Sequence, residues 1–128
     1  MPSKTYSNPA TMSPPRGYSH VVKVDNTVYI AGQISADRDG SVVGKGDPEA
    51  QVRQIWHNIE AAVKSVGGTL NDIVKTTTYV TSIGYGAAVR KVREELFPGH
   101  APTSTLLVVS GLASPDYMVE IESIAVLG

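Results

Sequence analysis

Glu120 and Glu122 stand two residues apart in a segment that is otherwise largely apolar, Met118-Val-Glu-Ile-Glu-Ser-Ile-Ala125. The segment alternates as a strand does. Val119, Ile121, Ser123 and Ala125 oppose Met118, Glu120, Glu122 and Ile124, so both carboxylates share one face. Two carboxylates on a half-buried strand are costly unless they are paired, solvated or used. A carboxylate so placed can hold a water, take its proton and return one to a leaving group. A salt bridge or a wet sheet edge would account for the pair equally well.

Other reactive constellations are weaker. The three histidines, His20, His57 and His100, lack the close spacing that two metal ligands share on a helix or strand, so no metal is expected and surface or structural roles fit them better. No Gly-x-Ser-x-Gly elbow nominates a serine nucleophile. Gly40-Ser-Val-Val-Gly44-Lys45-Gly46 is one residue short of a phosphate-binding loop and lacks the hydroxyl after its lysine, so it reads as a turn. The absence of cysteine removes disulfides, thiolate metal sites and a thiol nucleophile together.

The elements that must position the carboxylates follow from periodicity. Residues 1–16 read as an arm broken by four prolines, and 17–128 as a single domain. Tyr18 to Val24 and Thr27 to Ile30 form β-rich runs around Asp25-Asn26, a tight hairpin. Asp37 to Gly46 is a turn-rich loop with room for a short strand at Ser41 to Val43. Asp47 can then cap a helix with Pro48 at its first position. Val52, Ile55, Ile59, Ala62, Val63 and Val66 make its apolar stripe, and Gly67-Gly68 ends it. Ile73 to Thr81 reads as a strand and about Gly84 to Leu96 as a second helix. Ser104 to Val109 and Met118 to Leu127 read as the last two strands. Trp56, on the long helix, suits packing in the core or at a subunit contact. The order predicts an α+β fold, a mixed or largely antiparallel sheet with two helices on one face. Its other face needs cover, and association of copies is the simplest source for so small a chain.

Composition excludes further classes. With 128 residues, 41% hydrophobic and 18% charged, a packed core is feasible and disorder is not favoured. A formal charge of −1 lacks the basic surplus of nucleic-acid modules, and Arg90, Lys91 and Arg93 are followed at once by Glu94 and Glu95. No apolar run has signal-peptide or membrane-spanning length, so a cytoplasmic location with no membrane partner is the default expectation.

Taken as a set, Gly17-Tyr18-Ser19, Val28-Tyr-Ile-Ala-Gly-Gln33, Gln51 through Asn58-Ile59, Asp72-Ile-Val-Lys-Thr-Thr77 and Val119-Glu-Ile-Glu-Ser-Ile-Ala125 resemble the Rid (YjgF/YER057c/UK114) family. That family is also labelled endoribonuclease L-PSP. The resemblance runs from about Tyr18 to Val126. It implies a chorismate-mutase-like (YjgF-like) α+β fold and a homotrimer with a barrel-like core and clefts between subunits. It implies a small-molecule ligand or substrate, with no cofactor. Studied members hydrolyse reactive enamines and imines, such as 2-aminoacrylate, to 2-oxo acids and ammonia.

Carried over by position, Glu120 would activate the water and Tyr18 would line the cleft. Ala31, Gly32 and Gln33 would lie along the ligand, with Thr103, Ser104 and Thr105 supplying hydroxyls. In deaminating members a Pro-Ala-Arg type motif grips the substrate carboxylate. Here Ala101-Pro-Thr-Ser-Thr105 puts Thr103 in the arginine's place, and Ala31 replaces a common serine. A threonine hydroxyl cannot reproduce a bidentate guanidinium, a loss typically worth ~2–5 kcal/mol of binding. The expectation is an arginine-lacking branch acting on an imine, enamine or related intermediate other than 2-aminoacrylate. A non-catalytic binding trimer is the alternative, and a ribonuclease fits the charge least.

Overall fold

A computed structural model describes residues 2–128 of the chain. The order is β1 (Lys4–Ser7), β2 (Val21–Val24), β3 (Thr27–Gln33), α1 (Pro48–Lys64), β4 (Ile73–Val80), α2 (Gly86–Leu96), β5 (Thr103–Val108) and β6 (Val119–Val126). The strands form one six-stranded sheet in the order β1-β2-β3-β6-β4-β5. All neighbours are antiparallel except β4 and β5, which run parallel through the α2 crossover. This is the mixed sheet with two helices that the pattern predicts.

The expected hairpin is the β2–β3 pair. Val24 faces Thr27 across a two-residue turn, and Asp25 takes φ 51°, a conformation short polar residues tolerate. The loop after β3 holds only an isolated bridge, Ala36 to Val42, where a short strand had room. Within 1–16, Lys4–Ser7 forms β1 and pairs with β2 at the sheet edge. Its four residues are mostly exposed, so no alternating apolar signal marks it.

The long helix starts as its residues dictate. The Asp47 side chain accepts from the Ala50 N–H at 3.1 Å, and Pro48 takes the first helical position. At the far end Gly67 adopts φ 88°, which lets the Gly68 N–H donate to the Val63 carbonyl at 2.9 Å. The apolar stripe of α1, with Val52, Ile55, Ile59 and Val63 fully buried, packs on Val28, Val119, Ile121 and Ala125 of the sheet. Trp56 is buried in this core, edge-on to Phe97 with centroids 5.3 Å apart. On the exposed side, Arg53 bridges Glu49 and Glu95 while Lys91 holds Glu49, joining α1 to α2. Those exposed pairs contribute little to stability.

Gln51 does more. Fully buried, its amide nitrogen donates to the carbonyls of Gly44 and Asp116, and its oxygen accepts from the Met118 N–H at 2.9 Å. The entry to β6 is thereby fixed to α1 two residues before Glu120. The opposite face of the sheet carries Tyr29, Thr77, Tyr79, Glu122 and Ile124 and has no helix over it. A hollow of about 340 Å³ opens there between Val22, Tyr29, Lys75, Thr77, Glu122 and Ile124. Among the described residues no helix is long and apolar enough to cross a membrane.

Ile59→Ala is expected to cost about 2–5 kcal/mol in urea denaturation, because it empties a fully buried site. Asp47→Ala, which removes only the helix cap, is expected to cost about 1 kcal/mol in the same measurement.

Candidate functional site

Glu120 and Glu122 leave β6 on the same side of the sheet but enter different surroundings. Glu122 is exposed, lines the hollow on the open face, and accepts from the Tyr79 hydroxyl at 2.9 Å. That bond raises the pKa of the Tyr79 phenol, with desolvation adding to the effect. Glu120 is half-buried and lines a second recess of about 320 Å³, together with Tyr18, His20, Ala31, Gly32, Gln33, Asn58 and Ala113. Burial raises its pKa above the ordinary carboxylate value, and the neighbouring charge of Glu122 pushes the same way.

The recess exists because β3 and β6 lose register. Their pairing is regular up to Ile30–Ser123, then slips before Gln33–Ile121. Gly32 sits in that irregularity. A Cβ added to it would lie 2.2 Å from Glu120 Oε2 and 2.9 Å from the carboxyl carbon. The carboxylate therefore occupies space that any other residue would fill. This is the second use of glycine, close approach rather than unusual backbone angle.

Five of the residues singled out in the sequence meet in this cleft: Tyr18, Ala31, Gly32, Gln33 and Glu120. Tyr18 stands at its mouth, half exposed, with its ring edge-on to His20 at 5.6 Å. Thr103, Ser104 and Thr105 do not join them. They lie exposed on β5, two strands beyond β6, where the Thr103 hydroxyl donates to the Val74 carbonyl and the Ser104 hydroxyl accepts from Arg93 at 2.8 Å. They are not part of this cleft.

His20 and Asn58, which line the recess through specific hydrogen bonds, were not among the sequence candidates. His20 is buried, and its Nε2 lies 2.6 Å from the Ser13 carbonyl while its Nδ1 lies 3.2 Å from Gln33 Nε2. Asn58 reaches from α1 to the carbonyls of Ile34 and Ala36, holding the strand exit that forms one wall. The signal for His20 was its place next to Ser19 in a β-rich run; for Asn58 it was a polar residue on the apolar stripe. Among the described residues no three His, Asp or Glu side chains converge as a metal site.

Over residues 9–127 the chain matches the family described as Endoribonuclease L-PSP. A Yersinia pestis structure, YyfA, described as a protein of unknown function of the conserved Rid protein family, is 32% identical. It superposes with a TM-score of 0.91 over 98% of this chain and 100% of that one. RidA from an Antarctic Psychrobacter is 31% identical, with a TM-score of 0.87 over 96% and 98% of the two chains. Rv2704 of Mycobacterium tuberculosis, a member of the YjgF/YER057c/UK114 family, is 30% identical, with a TM-score of 0.81 over 98% and 100%.

Because its pKa is raised in the folded state, Glu120 makes the native protein bind more protons than the unfolded chain between the two pKa values. Stability from this group is thus present at low pH and lost as pH rises through the folded value. Glu120→Gln is expected to be more stable than the parent at neutral pH, with the gap closing below about pH 4.3, the ordinary glutamate value. Melting temperatures across pH 3–8, about that span, check the sign. Gly32→Ala is expected to fold while displacing the Glu120 carboxyl, visible as a return of the Glu120 titration toward ordinary values by NMR.

Proposed function

Since the chain belongs to the endoribonuclease L-PSP family, the Rid (YjgF/UK114) group, we propose that it hydrolyses a small imine or enamine, with Glu120 activating the water. The observation that carries this reading is the placement of Glu120. Its carboxylate is half-buried against Gly32, in a recess of about 320 Å³ whose lining holds no other charged group. A carboxylate that is partly desolvated is a better proton acceptor than one in water.

The chemistry balances with water alone. Glu120 takes a proton from water as the oxygen bonds to the carbon of the N-protonated imine, whose nitrogen becomes a neutral amine. The glutamic acid then returns its proton to that nitrogen. The C–N bond breaks as ammonia leaves, and the new hydroxyl passes its proton back to the Glu120 carboxylate and becomes the carbonyl; ammonia in solution takes up that proton. Tyr18, half exposed at the mouth, is placed to line the entering substrate. An enamine follows the same route after protonation at carbon.

The working form in this reading is a homotrimer. The open edge of β5, with Leu107 and Val108 exposed, and the uncovered sheet face would both be buried by neighbouring copies. Such packing would bring Thr103, Ser104 and Thr105 of one copy to the open side of another's cleft. With Thr103 where deaminating relatives are expected to carry arginine, the chain falls in an arginine-lacking branch. A substrate other than 2-aminoacrylate follows. The charge and the absence of cysteine suit a cytoplasmic setting.

A ribonuclease would have to draw a polyanion into a cleft whose charged lining is a carboxylate, on a chain of net charge −1. The electrostatics favour the imine reading. Purified protein given a panel of enzymatically generated imines is expected to accelerate loss of at least one, and Glu120→Gln to slow it by ~10²-fold or more. Equal rates for parent and variant across the panel would remove Glu120 from the chemistry. Sedimentation equilibrium is expected to return three times the 13.6 kDa chain mass.

A further inference from the structure

His20 and Gln33 are buried polar side chains, 3% and 4% exposed, in the wall of the Glu120 cleft. The hydrogen-bond roles in this pair follow from the one partner that has no choice. The Ser13 carbonyl can only accept, so His20 Nε2, 2.6 Å away, carries the ring hydrogen. His20 Nδ1 then presents a lone pair and accepts from Gln33 Nε2 at 3.2 Å. Gln33 Nε2 also donates to the Ala31 carbonyl at 3.1 Å. Both amide hydrogens are spent, and the group that Gln33 keeps for a ligand is its oxygen.

The backbone of His20 is fixed as firmly as its ring. Its N–H donates to Asn8 Oδ1 at 2.8 Å and its carbonyl accepts from the Ala31 N–H at 2.9 Å. The Ala31 carbonyl can only accept and so draws the Gln33 nitrogen to its side, while the imidazole, its tautomer set by the Ser13 carbonyl, takes the second amide hydrogen.

We propose that His20 is a positioning residue that, together with the Ala31 carbonyl, holds the Gln33 amide so that the cleft offers hydrogen-bond acceptors, selecting imines that bring N–H donors or positive charge over imines that bear a carboxylate beside the reacting carbon. This rests on the imine-hydrolysing reading of the site. Glu120 is the charged group of the lining, and neither lysine nor arginine faces it within the protomer. An entering carboxylate meets the Glu120 charge and the Gln33 oxygen, while an iminium nitrogen finds both as partners.

Specificity is read as the ratio of kcat/KM for imines made from simple primary amines to that for imines made from amino acids. The parent is expected to favour the carboxylate-free set by about tenfold or more, the scale set by one lost charge-assisted contact. His20→Phe keeps the ring but removes the acceptor, and Gln33→Met keeps the length but removes the amide. Each is expected to bring the ratio toward one, and the double variant to go no further, with melting temperatures confirming the fold. His20→Asn, whose side-chain oxygen can accept from Gln33, is expected to restore most of the preference.

A preference for carboxylate-bearing imines, especially one abolished by Arg93→Ala, overturns the proposal. So does nitrogen-15 NMR of the intact protein showing the hydrogen of the His20 ring on Nδ1. Should Glu120→Gln match the parent on every imine, the hydrolase reading falls and melting shifts decide the selectivity. Short alkylammonium ions must then stabilise the protein more than short carboxylates do, and the reverse order sinks the proposal.

Discussion

The missing side chain of Gly32 is the constraint on which the candidate site depends. Glu120 can fold back against β3 only because nothing projects from the strand at that point. The slip in register between Ile30 and Gln33 opens the strands where the carboxylate needs room. The far end of the arrangement is held by Gln51, which ties the approach to β6 to the first turn of α1 through two hydrogen bonds, to Asp116 and Met118, and the loop before α1 through a third, to Gly44. A buried amide satisfied at both its oxygen and its nitrogen is stiff, since each broken bond would strand a desolvated polar group. The position of one carboxyl group is therefore set by a glycine, a strand irregularity and a glutamine distant from it in sequence.

The two glutamates of β6 show how much a two-residue offset changes. Alternation puts them on one face, and the structure keeps them there. Glu122 meets a tyrosine hydroxyl; Glu120 meets a glycine and a recess. Glu122 is hydrogen-bonded on the open sheet face, and Glu120 carries the burial that makes a carboxylate a better base.

Much of the fold was legible from residues alone, for identifiable reasons. The Asp47-Pro48 start, the apolar stripe and the Gly67 stop specify α1 through local chemistry, and the helix falls where those signals lie. The strands β3, β4 and β6 show through β-branched runs. β1 was not legible, because a short exposed edge strand has no buried face to impose a pattern. The parallel pairing of β4 with β5 could not be read either, since it depends on where the chain goes after α2. At the site, Glu120 stood out because a charge in an apolar strand is costly. His20 did not, because its role lies in the carbonyl of Ser13 and the amide of Gln33, partners that only the folded chain brings to it.

β6 is the last of the six strands in chain order, yet it lies between β3 and β4 near the middle of the sheet. Without it the sheet would divide into two sets, β1-β2-β3 and β4-β5, each with an unsatisfied inner edge. During translation the polypeptide must wait for this central piece before the halves can close. A product cut short before Val119 would present two sticky borders at once and would be prey to clumping and to proteases.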